Sequence, residues 1–343
     1  DTTHKLRLLR RLRWRQVLAP LAVSFSARAV QQAANTRRRA CSTWRESASE
    51  SARDARGKTA GTRALLLLAV VALLLQGVTA SEPAVCVKSI TAGYQHTCSI
   101  TDDGSVKCWG WNGRGQLGYG DTSNRGDGSN EMGAKLPAVD LGAGRTALSV
   151  TAGVSHTCAL LDDATVKCWG YNWYGELGYG EFGDQTNRRD GSEEEGAILP
   201  AVDLGENRTA VSVSASYRHT CALLDDATVK CWGGNGNGQL GYGDTSHRGD
   251  VSNEMGARLP AVDLGAGRTA VSVSNGDAYT CALLDDATVK CWGNLPAVDL
   301  GSGISAVAVY AFELRTCAVL DDGSVKCWGW NGRGQLGYGD TSN

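Results

Sequence analysis

The sequence predicts an all-β fold of stacked repeats that look like propeller blades, and three observations carry that prediction. Five copies of the pattern T-C-(nine residues)-C-W-G occur, at Cys98/Cys108, Cys158/Cys168, Cys221/Cys231, Cys281/Cys291 and Cys317/Cys327. Successive copies start 60, 63, 60 and 36 residues apart, so units of about sixty residues must bury their apolar faces against one another. Within a unit, apolar and polar residues alternate with the period of a half-buried strand. Leu148 and Val150 alternate with Ser149 and Thr151, and Val166 and Cys168 with Lys167 and Trp169. No stretch of the repeats shows a sustained helical period, and the pattern predicts about four short strands per unit, as in a propeller blade.

The chain divides before the repeats begin. Residues 1 to 63 carry 15 Lys/Arg against 4 Asp/Glu, net +11, and residues 64 to 343 carry 19 against 32, net −13, which together give the −2 of the whole. Residues 1–62 read as a basic Arg/Ala/Ser-rich leader, disordered or not part of the mature protein, since the chain opens on Asp1 and its first methionine is Met132. Residues 63–80 resemble a signal peptide. The apolar run ALLLLAVVALLL at 64–75 is too short for a span of about 20 residues, and Val78 and Ala80 suit cleavage before Ser81. The mature repeat domain is then 81–343, secreted or lumenal, with no stable membrane span; a short signal anchor is the competing reading. Its acidic balance excludes the clustered Lys and Arg that hold a nucleic-acid backbone.

The second unit shows the repeat in full: LPAVDLG, RTALSVTAG, VSHTCALLDDATVKCWG, then YNWYGELGYGE and a long polar loop. CALLDDATVKC reads as two strands around an Asp-Asp turn. If Cys158 and Cys168 lie directly opposite, a cross-strand disulfide is geometrically possible, and a one-residue register slip breaks it. The turn carries Gly104 and Gly323 in two copies but Ala164, Ala227 and Ala287 in three, which predicts different turn types, since glycine tolerates positive φ and alanine does not. A nine-residue gap does not suit zinc. Buried free thiols remain an alternative; the signal-like segment favours disulfides by placing the chain in an oxidising compartment.

The first copy contains Gly93, His96, Thr97, Gly104, Trp109, Gly110, Asn112, Gly115, Gln116, Leu117, Gly118 and Gly120. This H-T…W-G-x-N-x-x-G-Q-L-G-x-G signature, recurring over 85–343, resembles the regulator of chromosome condensation repeat. The resemblance implies a β-propeller, seven-bladed in its best-known members, of which about five blades are present here, so the chain reads as a fragment. Residues 321–343 are identical to 102–124, and the fourth copy passes from Trp292 and Gly293 to Leu295 without its NGxGQLGYG arm. Five cysteine pairs leave Cys86 over, to pair with a cysteine beyond this chain or to stand as a free thiol. The family's nuclear namesake is a guanine-nucleotide exchange factor, an activity this acidic, signal-bearing chain is not expected to share.

Few constellations suggest chemistry. His96, His156 and His219 share one repeat position, but Tyr279 and Arg315 take it in the last two copies, and no nucleophile or carboxylate recurs beside them as a triad needs. The paired aspartates read as turn formers. The loop at 120–133 offers Asp121, Asp127 and Glu131 as oxygen ligands at a spacing unlike that of a calcium loop. Arg125-Gly126-Asp127 and Arg248-Gly249-Asp250 spell an adhesion tripeptide. Trp173 and Tyr174 replace small or polar residues of the first arm and are candidate partner-binding anchors, with packing between blades as the alternative. Asn207 heads the one glycosylation sequon of the repeats. The expected function is a non-enzymatic protein-binding or adhesion scaffold for an unknown protein or surface ligand, with no catalytic residue, cofactor or metal. The alternative is an intracellular exchange factor or ubiquitin-pathway regulator, as in other carriers of these repeats.

Overall fold

The computed structural model describes residues 86–180, 199–294, 298, 300–301 and 303–342. The leader and signal-like segment therefore lie outside the described residues. Strands β1 (Val87–Ala92), β2 (His96–Thr101) and β3 (Val106–Gly110) form the first sheet, and β4 (Ala147–Ala152), β5 (His156–Leu161) and β6 (Val166–Gly170) the second. The third holds β7 (Ala210–Ala215), β8 (His219–Leu224) and β9 (Val229–Gly233), and the fourth β10 (Ala270–Asn275), β11 (Tyr279–Leu284) and β12 (Val289–Gly293). The fifth holds β13 (Ala306–Phe312), β14 (Arg315–Leu320) and β15 (Val325–Gly329). Each is an antiparallel meander in chain order. The first strands lie side by side from sheet to sheet, β1 against β4, β4 against β7, β7 against β10 and β10 against β13. This is the stacking of propeller blades.

The period-two alternation of the middle strands sets where the core lies. On β5, Cys158 and Leu160 join a cluster with Ala222, Leu224 and Trp232 of the third unit, while Ala159 and Leu161 join one with Ile100, Val106 and Leu117 of the first. The middle strands β5, β8 and β11 are thus buried on both faces, one toward the preceding blade and one toward the next, and the core is distributed between blades. Two sequence expectations change here. Trp169 is fully buried, so β6 is not the half-buried strand that its alternation suggests. A β-bulge between Ala147 and Ser149 turns Leu148 outward, 52% exposed, away from the face of Val150.

Among the described residues the expected fourth strand is absent as a strand. In its place the loop after the third strand returns to make one bridge, with Gly110 and Arg125 exchanging backbone bonds of 2.8 and 3.2 Å and Gly233 and Arg248 bonds of 2.7 and 3.2 Å. The Gly-, Asp- and Ser-rich loop lacks the alternation needed to extend the pairing. The turn expectation is also corrected. Ala164, Ala227 and Ala287 adopt φ of 63°, 62° and 64°, and Gly104 and Gly323 adopt 83°, one turn in all five copies. Asp163 Oδ1 accepts from the Thr165 amide (3.1 Å) and hydroxyl (2.6 Å), and these bonds hold alanine where glycine sits more easily.

Candidate functional site

The register places Cys98 opposite Cys108, Cys158 opposite Cys168, Cys221 opposite Cys231, Cys281 opposite Cys291 and Cys317 opposite Cys327. All five pairs are disulfides, with Cα atoms 4.0 to 4.1 Å apart. The bridges of the first three units are fully buried, that of the fourth has Cys291 half-buried, and Cys158 Sγ lies 4.0 Å from Thr220 Oγ1 of the third unit. Cys86 is itself disulfide-bonded, so the free-thiol reading does not hold; its partner lies outside the described residues.

The glycine-rich arm after each C-W-G joins one blade to the next. Asn112 closes it, accepting from the Leu117 amide (2.9 Å) and donating to the Asp121 carbonyl (2.7 Å). The Gln116 carbonyl then accepts from two groups of the second unit, Thr157 Oγ1 (2.9 Å) and Trp169 Nε1 (3.0 Å). Glu176 and Gln239 repeat this with Thr220 and Trp232 and with Thr280 and Trp292. The indole packs so closely that a Cβ on Gly118 would lie 2.7 Å from Trp169 Nε1, which is why the arm reads Q-L-G. His96 completes the joint at 2.8 Å from Thr157 Oγ1, as His156 does at 3.0 Å from Thr220 and His219 at 2.8 Å from Thr280. Each threonine spends its one proton on the arm carbonyl, so the histidine donates from Nε2. Burial pushes the pKa of His96 down to about 4 and those of His156 and His219 to about 3. The histidines are neutral structural staples in separate interfaces.

One departure from the repeat creates a surface of different character. Trp173 is 52% exposed, whereas Tyr174 turns onto Arg218 of the third unit. Arg218 donates to Tyr174 Oη (2.9 Å) and Tyr217 Oη (3.0 Å), and its guanidinium stacks over both rings, 4.7 and 4.5 Å from their centroids. His247 meets Tyr174 edge-on with ring centroids 5.0 Å apart. Beneath lies Glu176, fully buried where other arms carry Gln116 or Gln239. Its Oε2 accepts from the Tyr174 amide (2.8 Å), its Oε1 has no partner, and burial pushes its pKa up to about 8. A neutral acid there stands in for the glutamine amide.

The remaining candidates fall elsewhere. Asp121 pairs with Arg125 (2.6 Å), Asp127 accepts from Asn124 (3.1 Å), and Glu131 accepts from the Gly126 and Gly128 amides (2.8 and 3.0 Å). Arg125 stacks over Tyr119 as Arg248 does over Tyr242, so the arginine of each adhesion tripeptide is engaged in its own loop. Asn207 is exposed in a left-handed turn, φ 56°. Among the described residues no group of His, Cys, Asp and Glu is arranged to hold a metal, and no helix is long and apolar enough to cross a membrane. The sequence reading missed Arg218, Tyr217 and His247, which belong to another unit, and Glu176, whose signal was a single Gln-to-Glu change in an otherwise repeated arm.

Three-stranded blades with their cores between them, joined by arms and carrying variable loops, define a β-propeller repeat scaffold. The chain carries regulator of chromosome condensation repeats: the description "Regulator of chromosome condensation (RCC1) repeat" matches residues 87–116, 148–176, 210–239 and 314–335, and a second such description matches 103–160. It is similar to the ultraviolet-B receptor UVR8 of Arabidopsis thaliana, 29% identical over 208 residues, 60% of this chain and 41% of that protein. It is also similar to the E3 ubiquitin-protein ligase HERC2 of Homo sapiens, 28% identical over 207 residues, 60% of this chain and 4% of that one. The chain thus spans less than half the length of these relatives. Among solved structures it resembles human WBSCR16 (TM-score 0.57, 19% identity, covering 76% of this chain and 65% of that one). It likewise resembles yeast RCC1 (Prp20) as bound to Kap60 (TM-score 0.55, 20% identity, 71% and 56%). These likenesses concern the fold.

Proposed function

We propose that this protein is a non-enzymatic protein-binding scaffold of the secretory route, and that the Trp173, Tyr174, Tyr217 and Arg218 cluster is its principal contact surface. The observation that carries this is an exposed tryptophan next in sequence to Tyr174, one of the two tyrosine rings over which Arg218 stacks. Such preorganised aromatic and arginine anchors concentrate binding energy in protein interfaces. The five disulfides support an oxidising compartment, with Asn207 as a glycosylation site there. Labelled full chain would be titrated onto extracellular protein preparations with unlabelled competitors. Wild-type protein is expected to compete, and Trp173→Ala/Arg218→Ala protein of unchanged melting temperature to compete at least ~10-fold more weakly. Equal competition by both would sink the assignment of the surface. The similarity to HERC2 favours an intracellular regulator as a second reading, and retention of a tagged full chain in the cytosol with all ten repeat cysteines reduced would decide for it.

A further inference from the structure

The fourth unit lacks its arm, and the other units show what the arm satisfies. First, the arm tyrosine hydroxyl both accepts from and donates to the backbone of the second cysteine of its own unit. Tyr119 does so on Cys108 (2.9 Å each way), Tyr179 on Cys168 (3.1 and 2.9 Å) and Tyr242 on Cys231 (3.0 and 2.9 Å). Second, the loop beyond the arm bridges Gly110 and Gly233. Third, the Gln or Glu carbonyl takes the indole proton of the next unit. A fourth contribution is apolar, since Leu117, Leu177 and Leu240 are fully buried between blades.

In the fourth unit, among the described residues, all of these places are vacated together. Cys281 and Cys291 form a narrow pair, Cα atoms 4.0 Å apart, of the kind whose backbone groups do not bond each other. The outward N–H and C=O of Cys291 and of Gly293 have no hydrogen-bond partner among the described residues. Trp328 Nε1 is a buried donor with no acceptor. Thr316, deprived of an arm carbonyl, donates instead to Tyr279 Oη (2.9 Å), which donates to the Arg315 carbonyl (2.6 Å). Tyrosine in the histidine position therefore rescues the threonine but not the tryptophan. The core between the fourth and fifth units contains no arm leucine. Alongside β12 a cleft of about 910 Å³ opens, lined by Lys290, Trp292 and Gly293 with Tyr242, Arg248 and Val262.

We propose that the open edge of β12 and the indole of Trp328 form one docking site for an arm-like segment of a partner protein. The segment is of the Gly-Gln-Leu-Gly-Tyr type, with a backbone carbonyl for Trp328, a leucine for the fourth and fifth blades and a tyrosine hydroxyl for Cys291. The chain itself identifies the occupant, because that chemistry fills the equivalent place in its other units; unpaired edge groups recruit such segments by backbone pairing. The site is on the fourth and fifth units, away from the aromatic cluster of the second and third, and does not depend on that cluster binding anything.

The test uses a fluorescein-labelled synthetic peptide of residues 111–126, titrated with the oxidised full chain and read by anisotropy. Saturable binding is expected, absent for a scrambled peptide. Trp328→Phe in the protein is expected to weaken it about 5- to 10-fold, the effect of one hydrogen bond, and replacing tyrosine by phenylalanine at 119 in the peptide at least as much, since that hydroxyl makes two. Trp328→Phe removes the indole N–H together with part of a packed surface, so its fold is checked by far-ultraviolet circular dichroism and its melting temperature, while the peptide lacking the tyrosine hydroxyl tests the site with the protein unchanged. No binding, or equal binding to Trp328→Phe, overturns the proposal. A dimer in sedimentation that the peptide disperses also overturns it, making the occupant a second copy.

Discussion

His96 and Thr157 meet across the boundary between the first two blades, Nε2 to Oγ1 at 2.8 Å, with the threonine proton already committed to the Gln116 carbonyl. One residue from each unit and the arm between them thus close a buried three-part joint. The same joint recurs at His156 with Thr220 and His219 with Thr280, so stability in this array resides in interfaces between units.

The joint makes the fold acid-sensitive. The folded pKa of His156, about 3, lies below its ordinary 6.5 because of burial. Its contribution is therefore complete above pH 6.5 and is lost as the pH falls toward 3, the unfolded chain taking up the proton that the folded one refuses. Against His156→Gln, which keeps a donor for Thr220, the wild type is expected to lose about 2 kcal/mol between pH 7 and pH 5. Denaturant midpoints at the two pH values check this, and a constant difference between the proteins would refute it.

Glu176 predicts the opposite slope. Its folded pKa of about 8 exceeds the ordinary 4.5, so the native state holds a proton that the unfolded chain releases, and stability falls as the pH rises from 4.5 to 8. Glu176→Gln, the residue of the first and third arms, is expected to stabilise by on the order of 3 kcal/mol at pH 8 and by little at pH 4. Thermal unfolding across that range measures it, and a pH-independent effect would show that the carboxyl is already ionised in the fold.

The left-handed alanines are a separate source of strain. Ala164→Gly is expected to stabilise by about 1 kcal/mol, since the backbone at φ 63° disfavours a Cβ by about that much. Glycine at Ala227 and Ala287 should add to it independently, the three turns lying in different units. Urea midpoints of the single and triple variants test the additivity, and destabilisation by the triple variant would mean that the methyl groups pack.

The cysteine pairing can be read directly. Proteolysis of non-reduced protein made through the secretory route should give five linked peptides, each joining cysteines ten positions apart. Peptides linking cysteines of different units would contradict the register. Removing one bridge as Cys158→Ala/Cys168→Ala should cost about 2 to 4 kcal/mol, since even a loop closed by cysteines ten positions apart constrains the unfolded chain by about 3 kcal/mol.

The sequence by itself determined the repeat and the all-β class, and made the hairpin register conditional on the cysteines pairing. Those features are local: paired cysteines ten positions apart admit one antiparallel alignment, and a one-residue slip would carry every apolar side chain to the wrong face. The identity of the joints was hidden, although each member was visible as a repeated letter. Threonine before cysteine, glutamine in the arm and histidine at the strand start come together only across a blade boundary. Tertiary structure alone decided that the fourth strand shrinks to one bridge, that alanine shares the left-handed turn of glycine, and that Tyr174 and Arg218 from different units stack. It also decided the consequence of the missing arm. A deletion between Gly293 and Leu295 reads in sequence as a shortened period, but the orphaned indole is Trp328, in the next blade, because each unit is completed by its neighbour.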